Sequence, residues 1–79
     1  MIIDKQHKAA FAEYEEPLRQ LENAFNLAGL PVSFRCFVDP LNNQMVDVTN
    51  KNKTRNNLIC IEADSPAQAI KDVAARVKL

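Results

Sequence analysis

The stretch "VSFRCFVDPLNNQMVDVT", Val32 to Thr49, reads as two strands and the turn between them. Val32, Phe34, Cys36 and Val38 alternate with Ser33, Arg35 and Phe37, the period-two signature of a sheet covered on one face only. In the second half Val46 and Val48 share one side, and Met45, Asp47 and Thr49 share the other. Between the two runs Pro40 presets φ and the Asn42–Asn43 pair tolerates unusual backbone angles, which suits a hairpin turn. Pairing Val38 with Gln44 sets Ser33 opposite Thr49, Arg35 opposite Asp47 and Phe37 opposite Met45 on the outer side. Opposite charges meet in that register and like charges do not.

Downstream, "NLICIEA" (Asn57 to Ala63) continues the pattern, with Ile59, Ile61 and Ala63 as the buried set and Leu58, Cys60 and Glu62 opposite. "SPAQ" then opens a helix. Ser65 caps it, Pro66 takes the first helical position and Gln68 completes a capping box, with Ile70, Val73, Ala74 and Val77 as the buried face. Upstream, Phe11, Tyr14, Leu18, Leu21, Phe25 and Ala28 recur at helical spacing. They predict one helix from Asp4, its cap, to Gly29, its stop, kinked at Pro17 because the stripe keeps its phase across the proline. The expected fold is two-layer α+β in the order α-β-β-β-α, a three-stranded antiparallel sheet with two helices packed on one face.

Composition narrows the function. The chain has 79 residues, enough for one domain with a small core. Ten basic residues balance ten acidic ones, so no global field steers the protein toward nucleic acid or an anionic membrane. No apolar run reaches the length of a membrane span, and "MIIDKQHK" lacks the apolar core of a signal peptide. Together with only two cysteines, this predicts a reducing, cytoplasmic setting.

Catalytic constellations are missing from the sequence. His7 reads as a solvated surface histidine, and His7, Cys36 and Cys60 lack metal-ligand spacing. The lone glycine ends a helix and leaves none for a phosphate cradle. Glu13, Glu15, Glu16 and Glu22 read as a solvated helix face, with Glu15 four residues before Arg19. The expectation is no enzyme, no cofactor and no metal. Cys36 falls on the core side and Cys60 on the open side. In a meander their strands lie about 9.6 Å apart, too far for a disulfide.

The α-β-β-β-α order, the "GLP" at Gly29–Pro31 and "SPAQAIKDVAARV" at Ser65–Val77 resemble the double-stranded-RNA-binding domain over Pro17 to Leu79. That resemblance implies RNA contacts from the first helix, the loop between the first two strands and a lysine cluster opening the second helix. Here the last cluster reads Pro66, Ala67, Gln68, with only Lys71 retained, and "VDPLNNQ" has no basic residue. The basic loop "VTNKNKTRNN" carries Lys51, Lys53 and Arg55, but topology places it at the opposite end of the sheet.

The expected role is therefore a small protein-binding module. One such class is a phage or mobile-element inhibitor of host nucleic-acid machinery, of the anti-CRISPR kind. A homodimer is an additional expectation. The alternative is a nucleic-acid-binding module using Lys51, Lys53, Arg55 and Lys71. Candidate partner-binding residues are Arg35, Phe37, Met45, Leu58 and Cys60 on the open face, together with Phe11 and Tyr14. The latter two belong to a helix of about 36 Å that would overhang strands of about 23 Å.

Overall fold

The computed structural model describes residues 1–53 and 56–77. The elements are β1 (Ile2–Ile3), a 3₁₀ helix (Lys5–Phe11), α1 (Glu15–Leu27), β2 (Val32–Val38), β3 (Gln44–Asn50), β4 (Asn56–Cys60) and α2 (Pro66–Arg76). The fold is α+β, but the sheet has four strands in the order β1-β2-β3-β4 and is mixed, because β1 runs parallel to β2. The expected purely antiparallel three-stranded sheet is thus corrected by one short strand. Parallel neighbours need a long crossover, usually helical. The 3₁₀ helix and α1 supply it.

The hairpin register is the expected one: Val38 pairs with Gln44, Phe37 with Met45, Arg35 with Asp47 and Ser33 with Thr49. Asp39 builds the turn. Its carboxylate accepts from the backbone N–H groups of Asn43 (2.8 Å) and Leu41 (3.0 Å) and from the Asn43 side chain (3.1 Å). These donors, the Asn43 backbone first, hold the Asp39 pKa below its ordinary value. Asn42 takes the left-handed conformation at φ 66°, which asparagine accepts more readily than most residues.

The first helical segment departs most from expectation. It is not one kinked helix. A 3₁₀ helix ends at Phe11, and α1 starts at Glu15 with Pro17 in its first turn, where the missing N–H breaks no helical bond. Asp4 makes no side-chain cap either; it is committed to Arg35 instead. The far end of α1 closes as expected. Gly29, at φ 90°, donates to the Asn26 carbonyl and Leu30 donates to that of Phe25, a Schellman closure. Ser65 Oγ caps α2 by accepting from the Gln68 N–H at 3.3 Å. The Gln68 side chain bonds Asp72 (3.0 Å) rather than returning to the cap.

Both helices pack on the face that carries Val32, Phe34, Cys36, Val46, Val48, Ile59 and Ile61, adding Leu18, Ala69, Val73 and Val77 to one core. Within α2, Ala69 replaces Ile70 as the fully buried residue beside Val73. Glu22, expected in the solvated face of α1, is only 8 % exposed.

The reason lies at the outer edge of β2. The Ile61 N–H donates to the Gln44 carbonyl, which makes that pair a hydrogen-bonded one. Antiparallel alternation then turns the polar groups of Phe34, Cys36 and Val38 away from β3, toward β1. But β1 spans only the Arg35–Cys36 stretch. Side chains complete the edge on either side of it. Glu22 Oε2 accepts the Phe34 N–H at 2.7 Å, and His7 Nδ1 accepts the Val38 N–H at 3.1 Å. The Cys36 carbonyl receives the Asp4 N–H at 3.0 Å. His7 is thus a half-buried, edge-sealing acceptor and not the expected solvated surface side chain. Glu22 Oε1 also takes the Met1 ammonium at 2.9 Å.

Removing either acceptor strands a strand N–H with no partner. Glu22→Ala should cost about 2–4 kcal/mol in a denaturant titration, because it leaves both the amide and a cation uncompensated. Glu22→Gln keeps an acceptor and should lose roughly half as much. His7→Ala should cost about 1–3 kcal/mol by the same logic.

Candidate functional site: the open face of the sheet

Register and strand order place the face away from the helices in three cross-strand rows. Ile2, Arg35, Asp47 and Leu58 form the first; Phe37, Met45 and Cys60 form the second; Ser33, Thr49 and Asn56 form the third. Of the expected partner-binding residues, Arg35, Phe37, Met45, Leu58 and Cys60 are therefore brought together. Ile2 joins them through β1, which a two-residue apolar run was too short to announce. Ile2 is 66 % exposed and Leu58 57 % exposed, so the first row is apolar at both ends.

Arg35 is the fixed point of this face. Its Nε and Nη2 donate to the two carboxylate oxygens of Asp4, at 3.1 and 2.9 Å, in a bidentate fork. Its guanidinium carbon sits 5.2 Å from the centre of the Phe37 ring. Asp47 is the cross-strand neighbour foreseen for Arg35, but no salt bridge forms between them. Asp47 accepts instead from the Asn56 side chain at 3.3 Å. Asp4, four residues into the chain and read as a helix cap, is the group that orients the arginine.

Phe11 and Tyr14 do not overhang. The chain breaks between the 3₁₀ helix and α1, and this folds Phe11 into the core, where it is fully buried. Tyr14 is half-buried and meets the Phe11 ring edge-on, centroids 6.4 Å apart. Phe11 has no surface to offer a partner.

The basic candidates are dispersed. Lys51 and Lys53 are exposed beyond the end of β3, and Arg55 lies outside the described residues. Lys71 is on α2, on the other side of the molecule. There it lines a groove of about 570 Å³ between the helices with Pro17, Gln20, Leu21, Ala67 and Ile70. Among the described residues no cluster of three or more His, Cys, Asp or Glu could hold a metal ion. No described helix is long and apolar enough to cross a membrane.

The two thiols are free and sit on opposite faces, Cys36 buried in the core and Cys60 half-exposed on the open side. Burial pushes the Cys36 pKa from 9.0 up to about 12, an effect that the nearby Met1 ammonium only partly opposes. A neutral-pH thiol reagent should modify Cys60 first. Cys36 should lag by about a hundredfold or more, since reaching it requires opening the core. The raised pKa also has a sign. Between pH 9.0 and about 12 the folded state keeps a proton that the unfolded chain releases. Stability is therefore full below that window and declines through it, and this part of the alkaline decline should vanish in Cys36→Ala.

Compared with protein-family models, with curated proteins and with solved structures, the chain shows no match.

Proposed function

We propose that this chain is a non-enzymatic protein-binding module whose partner docks on the open face of the sheet. The observation that carries this reading is the Arg35–Phe37 pair. An arginine clamped by a bidentate carboxylate and laid over an aromatic ring has already lost the side-chain freedom that binding would otherwise cost. Arginine and aromatic residues are the types that dominate binding energy at interfaces, especially amid apolar neighbours such as Met45, Leu58 and Ile2. Arg35 spends Nε and Nη2 on Asp4, and no hydrogen bond from its Nη1 to another described residue is formed. The complementary partner is a protein surface with an apolar centre and a carboxylate or carbonyl placed to take that third nitrogen.

The test is capture of partners from cells of the native host by the immobilised chain, with Phe37→Glu and Arg35→Ala alongside. Each change removes a hot-spot side chain and should weaken binding by about thirtyfold or more, with the circular dichroism spectrum unchanged. A partner retained at full strength by both variants would sink the reading. Recovery of host nucleic-acid-processing proteins would extend it to an inhibitor of that machinery, of the anti-CRISPR kind. Duplex RNA at near-physiological salt should bind weakly. Submicromolar affinity lost on changing Lys51, Lys53 and Arg55 to alanine would favour a nucleic-acid-binding module instead.

A further inference from the structure

The row Ile2, Arg35, Asp47, Leu58 is complementary to its own reversal. Apolar residues stand at both ends, with a cation and a carboxylate side by side between them. Within the chain these two charges do not pair. Arg35 gives Nε and Nη2 to Asp4 and keeps its side chain 53 % exposed, while Asp47 accepts through Oδ2 from Asn56. Arg35 Nη1 and Asp47 Oδ1 therefore have no hydrogen-bond partner among the described residues. Both sit on a face whose neighbouring side chains, Phe37, Met45, Leu58 and Ile2, are apolar and half-buried or exposed.

We infer that the occupant of this face is the same face of a second copy. The two-fold axis lies between the sheets, parallel to the strands and midway between β2 and β3. The inference rests on the reading above, which puts a protein partner on the open face, and it names that partner. Rotation about such an axis reverses each cross-strand row and lays it over itself. Arg35 then meets the second copy's Asp47, and Asp47 meets its Arg35, so two ion pairs form at once. Ile2 meets Leu58, Phe37 meets Met45 and Ser33 meets Thr49. A thioether against an aromatic ring is a favourable contact, and sheets stacked about 10 Å apart are bridged by side chains of this size. Charge selects the axis: a two-fold running along this row, across the strands, would set Arg35 over Arg35 and Asp47 over Asp47. Four strands give a face of at most about 19 by 23 Å. That is smaller than the roughly 800 Å² per partner of a standard interface, so the dimer belongs to the weak, micromolar class. The contact is isologous and closes after two copies.

Sedimentation and circular dichroism on the full chain test this. The wild type should sediment as a dimer at high micromolar concentration. Arg35→Glu brings two carboxylates together at each contact, and Asp47→Arg brings two guanidinium groups together. Each variant alone should associate about thirtyfold more weakly or worse and sediment at half the mass, with its spectrum unchanged. Mixed in equal amounts, each variant offers the charges that the other lacks, and the dimer mass should return. A monomeric wild type, a variant that stays dimeric alone, or a mixture that stays monomeric overturns the inference. Should Arg35→Glu change the spectrum through loss of the Asp4 clamp, Asp47→Arg alone decides: loss of the dimer supports the inference and its retention overturns it. Failure of the second copy is distinguishable from failure of the partner-binding reading. A monomeric wild type that still captures a host protein, and loses it on Phe37→Glu and Arg35→Ala, removes only the second copy.

Discussion

The outer edge of β2 is the constraint on which the rest of this fold depends. A strand inside a small sheet must satisfy its polar backbone on both sides, and β1 is far too short to serve the whole of β2. The chain solves this with side chains. Glu22 reaches from α1 to the Phe34 N–H, and His7 reaches from the 3₁₀ helix to the Val38 N–H. Each bond therefore ties a different piece of the crossover to the sheet. Because Glu22 also holds the Met1 ammonium, α1, β1 and β2 meet at one carboxylate. The same arrangement brings Asp4 alongside Arg35, and so the orientation of the open face follows from how the edge is sealed.

Two kinds of polar burial coexist in the chain, and they do different work. Glu22 is a buried charge, which would be expensive unless paired and hydrogen-bonded, and both of its oxygens are used. The Arg35–Asp4 pair is more exposed, so solvent screens it and it adds little to stability. Its contribution is geometric: it holds a cation over Phe37 on a face whose other residues, Asp47 apart, are apolar or small and polar.

Much of the fold was legible before any coordinates. The alternation in Val32–Val38, Gln44–Thr49 and Asn57–Ala63 sorts core from open face, because one residue of slip would reverse every side chain of a strand covered on one side; β4 itself spans Asn56–Cys60. The hairpin register follows from the Asp39–Asn43 turn, whose geometry is local. The Gly29 closure and the Ser65–Pro66 start of α2 are local as well, and both read directly. The cysteines separate by parity alone.

What the sequence could not disclose were the interactions between distant segments. Ile2–Ile3 is too short to show a period, and it becomes a strand only because β2 presents an unfilled edge beside it. Pro17 fits either a kink or a helix start, and only the burial of Phe11 against the sheet decides for the start. Glu22 and His7 look like surface residues because their neighbours in sequence are polar; their partners, the N–H groups of Phe34 and Val38, are backbone groups that no side-chain pattern reveals. Arg35 read as the partner of Asp47 for the same reason, since cross-strand pairing is local to the hairpin whereas Asp4 arrives from the crossover. Local periodicity determined which side of each strand faces the core. Only the folded chain decided which acceptors complete the edge, because backbone hydrogen-bonding demand at a strand edge is set by topology and leaves no mark on residue type.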